Sequence, residues 1–149
     1  TMLTAYRARF YFVIFIVSGF FGWTVDTAYR SIHVGYYESA TVVPFFSLIF
    51  AFASLLLCVL FRKTSIFWSV FWGTLFCVGI ELVTGFVLLK VFHERLWNYK
   101  ANPFDLYGFI DLLHSVYWFL LVLLYRIFYK YWLKRRDKKY PPKLIIGHT

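Results

Sequence analysis

A chain of 149 residues that is 61% hydrophobic, with a mean hydropathy of +0.66, is too apolar for a soluble domain. Such domains hold roughly 45–50% apolar residues. Long apolar runs point to the lipid bilayer, and the net charge of +9, with half of the basic residues lying from Arg126 to Lys143, is read as a match to anionic lipid in preference to nucleic acid. No ten-residue alternation of apolar and polar positions recurs, so the spans are helices rather than barrel strands. With 19 Phe, 12 Tyr and 6 Trp, the chain can cover lipid-facing surfaces and both interfacial belts.

Four spans are predicted, at residues 10–29, 43–61, 68–89 and 109–133. They form an all-α four-transmembrane-helix bundle followed by a basic tail over 134–149. Each is close to the roughly 20 residues that cross the hydrocarbon layer. The first span carries Asp26 and Arg30 where a signal peptide would be cleaved, so it reads as a retained span. Cys58 and Cys77 fall inside spans and read as small packing residues.

Basic residues set the direction. Arg7, Arg9, Arg62, Lys63, Arg126, Lys130 and six more from Lys134 to Lys143 lie on one side; Arg30, Lys90, Arg95 and Lys100 lie on the other. The positive-inside rule then makes both termini cytoplasmic, in a multi-pass protein of a bacterial cytoplasmic membrane. The tail reads as an anchor to anionic lipid, ended by Tyr140-Pro141-Pro142.

Three carboxylates fall within or beside spans. Helix rise places Glu81 about 12 Å below the outer end of span three, and Asp26 and Asp111 about 5 Å below theirs. Carboxylates at such depth pair inside a bundle or line a wet cavity. Asp26 and Arg30 are four apart on one face and can pair. Gly85 shares a face with Glu81, and Thr84 is adjacent, a setting for close helix contact. Asp111, Ser115 and Trp118 share a face on span four, with His114 beside them. The aromatic Trp97–Phe104 segment, holding Tyr99, is expected to close over the outer mouth, and Asp105 is expected to cap span four. The candidate ligand-binding set is therefore Asp26, Arg30, Glu81, Thr84, Trp97, Tyr99, Asp111, His114, Ser115 and Trp118.

No phosphate-binding loop, nucleophile elbow or zinc-protease motif occurs, so an enzymatic role has no positive support. No His or Cys spacing fits zinc, and no metal or cofactor is expected. A haem between His93 and His114, or a quinone, is the redox alternative. An accessory or assembly subunit is the structural one.

The ordered set Phe21-Gly22-Trp23-x-x-Asp26-x-x-Tyr29, Glu81-x-x-Thr84-Gly85, Arg95-x-Trp97-x-Tyr99, Pro103-Phe104-Asp105, Gly108 and Ser115-x-x-Trp118 resembles the ABC-transporter type IV, or CmpB-like, membrane proteins. The resemblance covers roughly residues 20–120 and implies a permease-like, transport-related subunit. Asp26 stands where that pattern leads one to expect Glu, Asp105 where it has Asn, and Asp111 where it has a small or thiol side chain. The last two add negative charge, which favours a cationic ligand. Four helices are few for a carrier with two repeated halves, so a homo-oligomer or other membrane subunits are expected as partners.

Overall fold

The computed structural model describes residues 2–139. It is all-helical: α1 (Met2–Val34), α2 (Leu48–Phe61), α3 (Ile66–Val91) and α4 (Leu112–Lys139). Helices α1, α3 and α4 each contain a stretch long and apolar enough to cross a membrane: Ala8–Val34, Ile66–Val91 and Leu112–Trp132. The helix of α4 runs on through the first basic residues of the expected tail; Tyr140 to Thr149, with the Pro141-Pro142 stop, lie outside the described residues.

The second expected span is the one that differs. Its helix has only 14 residues, about 21 Å at 1.5 Å per residue, and begins five residues later than expected. The local chemistry explains the late start. Pro44 disfavours helical backbone at Val43, and Phe45 takes a positive φ of 60°. Ser47 then caps α2, its Oγ accepting the Phe50 N–H at 3.5 Å. The Ser47 N–H itself donates to the Gly19 carbonyl at 2.9 Å, tying this non-helical stretch to the side of α1. Gly19 lies 15 residues before the end of α1, so the stretch reaches about 22 Å down that helix.

Glycines allow the close approaches. A Cβ on Gly19 would fall on the Phe46 ring, one on Gly22 on Phe50, and one on Gly85 on Phe109. Helix α1 thus packs on α2, α2 on α3, and α3 on α4. The buried core joins Leu57, Cys58 and Phe61 of α2, Cys77 of α3, and Trp118, Val122 and Tyr129 of α4. Both cysteines are buried and free, in keeping with a packing role. Among the described residues α1 and α4 are not a closely packed pair; side chains bridge them instead. Phe10 stacks on Trp132 at 4.6 Å, and Tyr29 meets Tyr117 edge-on at 5.7 Å.

The connection from α3 to α4 is folded inward and fixed. Trp97 donates its indole N–H to the Phe109 carbonyl at 2.9 Å, and the Tyr99 N–H bonds the Gly108 carbonyl at 2.9 Å. Gly108 has φ +73°, and a Cβ there would meet Asn98 Oδ1 at 2.6 Å. Helix α4 starts at Leu112 rather than 109, because residues 106–110 close a tight turn with Leu106 N–H on the Ile110 carbonyl. That shift reassigns the cap. Asp111, not Asp105, accepts the His114 N–H, at 2.6 Å; Asp105 instead accepts the Gly108 N–H inside the turn, at 3.0 Å.

Candidate functional site

Glu81 sits on the buried face of α3, 7% exposed, with Cys77 and Gly85 one turn to either side. Both carboxylate oxygens are engaged. Trp118 Nε1 of α4 donates to Oε2 at 2.6 Å, and the Tyr99 hydroxyl donates to Oε1 at 3.1 Å. Arg30 of α1 donates from Nη2 to the Tyr99 hydroxyl at 3.3 Å and from Nε to Asp26 at 2.9 Å. One chain of hydrogen bonds thus runs Asp26–Arg30–Tyr99–Glu81–Trp118 and joins α1, the α3–α4 connection, α3 and α4. Burial first, and the Glu81 charge second, push the Tyr99 phenol well above its ordinary range. Tyr99 therefore stays a donor at physiological pH.

A second group stands beside it. The Asp111 carboxylate takes His114 Nδ1 at 2.8 Å and 2.9 Å, the His114 backbone N–H, and the Asn102 side-chain amide. Burial raises its carboxyl, but these donors outweigh burial and hold it below the usual carboxylate range. Asp111 fixes the ring of His114, which stacks on Tyr99 at 3.8 Å with planes 13° apart. The two networks meet at that stack.

Both face a cavity of about 470 Å³. Val25, Asp26, Tyr29 and Arg30 of α1 form one wall, and His114, Tyr117, Trp118, Leu120, Leu121 and Leu124 of α4 the opposite one. Glu81, Trp97 and Tyr99 line it on the α3 side; Ala40, Ser47, Ile49 and Phe50 complete it. Of the ten residues singled out in the sequence, Asp26, Arg30, Glu81, Trp97, Tyr99, His114 and Trp118 line this cavity. Asp111 stands behind His114, and Ser115 bonds the Asp111 carbonyl at 2.6 Å, so both act through the α4 N-terminus. Thr84 is half-buried on α3 and is not part of the lining. The Trp97–Phe104 segment divides: Trp97 and Tyr99 are buried in the bundle, while Phe104 at its far end is 84% exposed.

Residues 40–50 are the contribution that sequence reading missed. An expected continuous span hid the non-helical stretch, and Pro44 beside Ser47 was its only local signal. Asn102, which ties its loop to Asp111, carried none. His93 is exposed just past the end of α3 and does not line the cavity with His114. Among the described residues no group of three or more His, Cys, Asp or Glu is arranged to hold a metal ion.

The family profile described as "Putative ABC-transporter type IV" matches residues 13–147, nearly the whole chain. The chain belongs to this family. Comparison with curated proteins and with solved structures finds no match. Family membership and three long apolar helices fit a membrane transport-related subunit in a lipid environment.

Proposed function

We propose that this protein is a transport-related membrane subunit that binds a polar or cationic ligand in the cavity beside Glu81. The observation that carries this reading is a buried carboxylate at membrane depth whose two donors, Trp118 and Tyr99, are both neutral, on the wall of an adjoining cavity. A purely structural Glu81 needs the donors but not the cavity. Glu81 is the central ligand, with Asp26 and Arg30 flanking it and Asp111 setting His114 in place.

In the bilayer the chain crosses four times. The non-helical residues 36–47 and α2 together make the second crossing. Irregular backbone at that depth is tolerated where it is buried in protein or lines a cavity, as Ala40 and Ser47 do. Both termini are cytoplasmic, the basic segment from residue 134 is a cytoplasmic tail, and the cavity lies in the outer half. The protein works as a homo-oligomer or with other membrane subunits.

The test is native mass spectrometry of the full chain in mild detergent, before and after Glu81→Gln. The expected result is a bound small molecule lost at least about tenfold in the variant, a change of about 1.4 kcal/mol, with the helical signal unchanged. Equal occupancy in the two proteins would sink this reading. Loss of co-purifying subunits without loss of a small ligand would transfer the role of Glu81 to assembly.

A further inference from the structure

We propose that the cavity takes an amphiphile with one ammonium head and an apolar tail, admitted from the membrane between α1 and α4. This rests on the cavity being the ligand site. The head end holds two carboxylates, Asp26 and Glu81, against the single guanidinium of Arg30. With Glu81 ionised, that leaves one formal negative charge for a ligand cation to match. Tyr29 and Tyr117 stand at the same end with ring centroids 5.7 Å apart, and aromatic faces attract ammonium groups.

The other end is of opposite character. On α4, every lining residue beyond Trp118 is a leucine: Leu120, Leu121 and Leu124. They continue the cavity about 9 Å further along the helix, counting six residues from Trp118 to Leu124. A wholly polar ligand would strand its polar groups against them, whereas an alkyl chain would not.

The same residues show the route. Leu120 and Leu124 line the cavity and are 47% and 63% exposed; Tyr29 and Tyr117, also in the lining, are each 37% exposed. Both leucines lie about 12–18 Å below the start of α4, at the depth of acyl chains rather than of water. In this proposal the entry lies between α1 and α4, which are bridged by side chains such as Tyr29 and Tyr117 and are not packed along their backbones. A ligand that already resides in the membrane can move laterally into it, tail beside the leucines and head toward Asp26 and Glu81.

The test uses the full chain in maltoside micelles, titrated with tetramethylammonium, octyltrimethylammonium and octyl sulfate and read by native mass spectrometry. Wild-type protein should bind octyltrimethylammonium at least tenfold more tightly than tetramethylammonium. Leu121→Trp, which fills the leucine end, should erase that advantage and leave tetramethylammonium binding in place. Glu81→Gln should weaken both cations, and Asp26→Asn serves the same purpose should that variant not fold. Comparing wild type and Leu121→Trp in the same micelles cancels partition into detergent. Equal affinity for the two cations, or a chain advantage that survives Leu121→Trp, would overturn the amphiphile while leaving the cavity as a cation site. Octyl sulfate binding as well as octyltrimethylammonium would overturn the ammonium head. Failure of all three probes to bind would remove both this inference and the cationic form of the function it rests on.

Discussion

Glu81 and Trp118 are the residues on which the site turns. They come from α3 and α4 and meet at 2.6 Å, and Trp118 also packs its ring on Phe50 at 4.9 Å. Trp118→Phe keeps most of the ring contact but leaves one Glu81 oxygen without its donor. Such a deletion costs about 1–3 kcal/mol when the orphaned group stays buried. The expected outcome is a lower thermal midpoint in detergent together with weaker ligand binding. A variant as stable as wild type would mean that Oε2 has another donor. Glu81 was legible in the sequence because a carboxylate inside a span is expensive. Trp118 and Tyr99 were singled out as site residues, but their pairing with Glu81 was not legible, since many Trp and Tyr are available and spacing alone does not assign a donor.

At the scale of helices, the decisive contrast is between two glycines of α3. Gly85 is buried under Phe109, where a Cβ would collide with the ring, whereas a Cβ on Gly79 would meet nothing within 4 Å. Gly85→Ala should therefore destabilise by about 1–3 kcal/mol through overpacking. Gly79→Ala should be neutral or stabilising by up to about 1 kcal/mol, the helix-propensity difference. Thermal unfolding of the two variants side by side checks both signs, and equal shifts would contradict the packing. Both glycines look alike as small residues in an apolar run. Only the fold of the α3–α4 connection, which seats Phe109 on α3, separates them. The same connection explains the reassigned cap: Asp105 has the right residue type, but the turn over 106–110 delays the helix until Asp111 is in position.

For the whole molecule, the proposed topology makes a sharp prediction about access. With the buried Cys58 and Cys77 replaced by Ala, a single cysteine at Glu94 should react with a membrane-impermeant maleimide on intact cells. One at Lys63 should react only after permeabilisation. The reverse pattern would invert the protein in the membrane, and labelling of both from outside would break the four-crossing arrangement. Twelve of sixteen basic residues on one side make the first pattern the expected one.

Composition and the placement of charge were enough to determine an all-helical chain suited to a membrane and the regions of its four helices. Those properties depend on transfer into lipid, which each segment undergoes largely by itself. The tertiary structure alone decided that the second helix is short and follows a non-helical stretch, and that Thr84 stays out of the lining. It also decided that Tyr99 links Arg30 to Glu81 across 69 and 18 residues of chain. These are outcomes of packing between segments distant in sequence: Phe46 on Gly19, Phe50 on Gly22 and Phe109 on Gly85. No single segment carries the shape of the partner that it will meet.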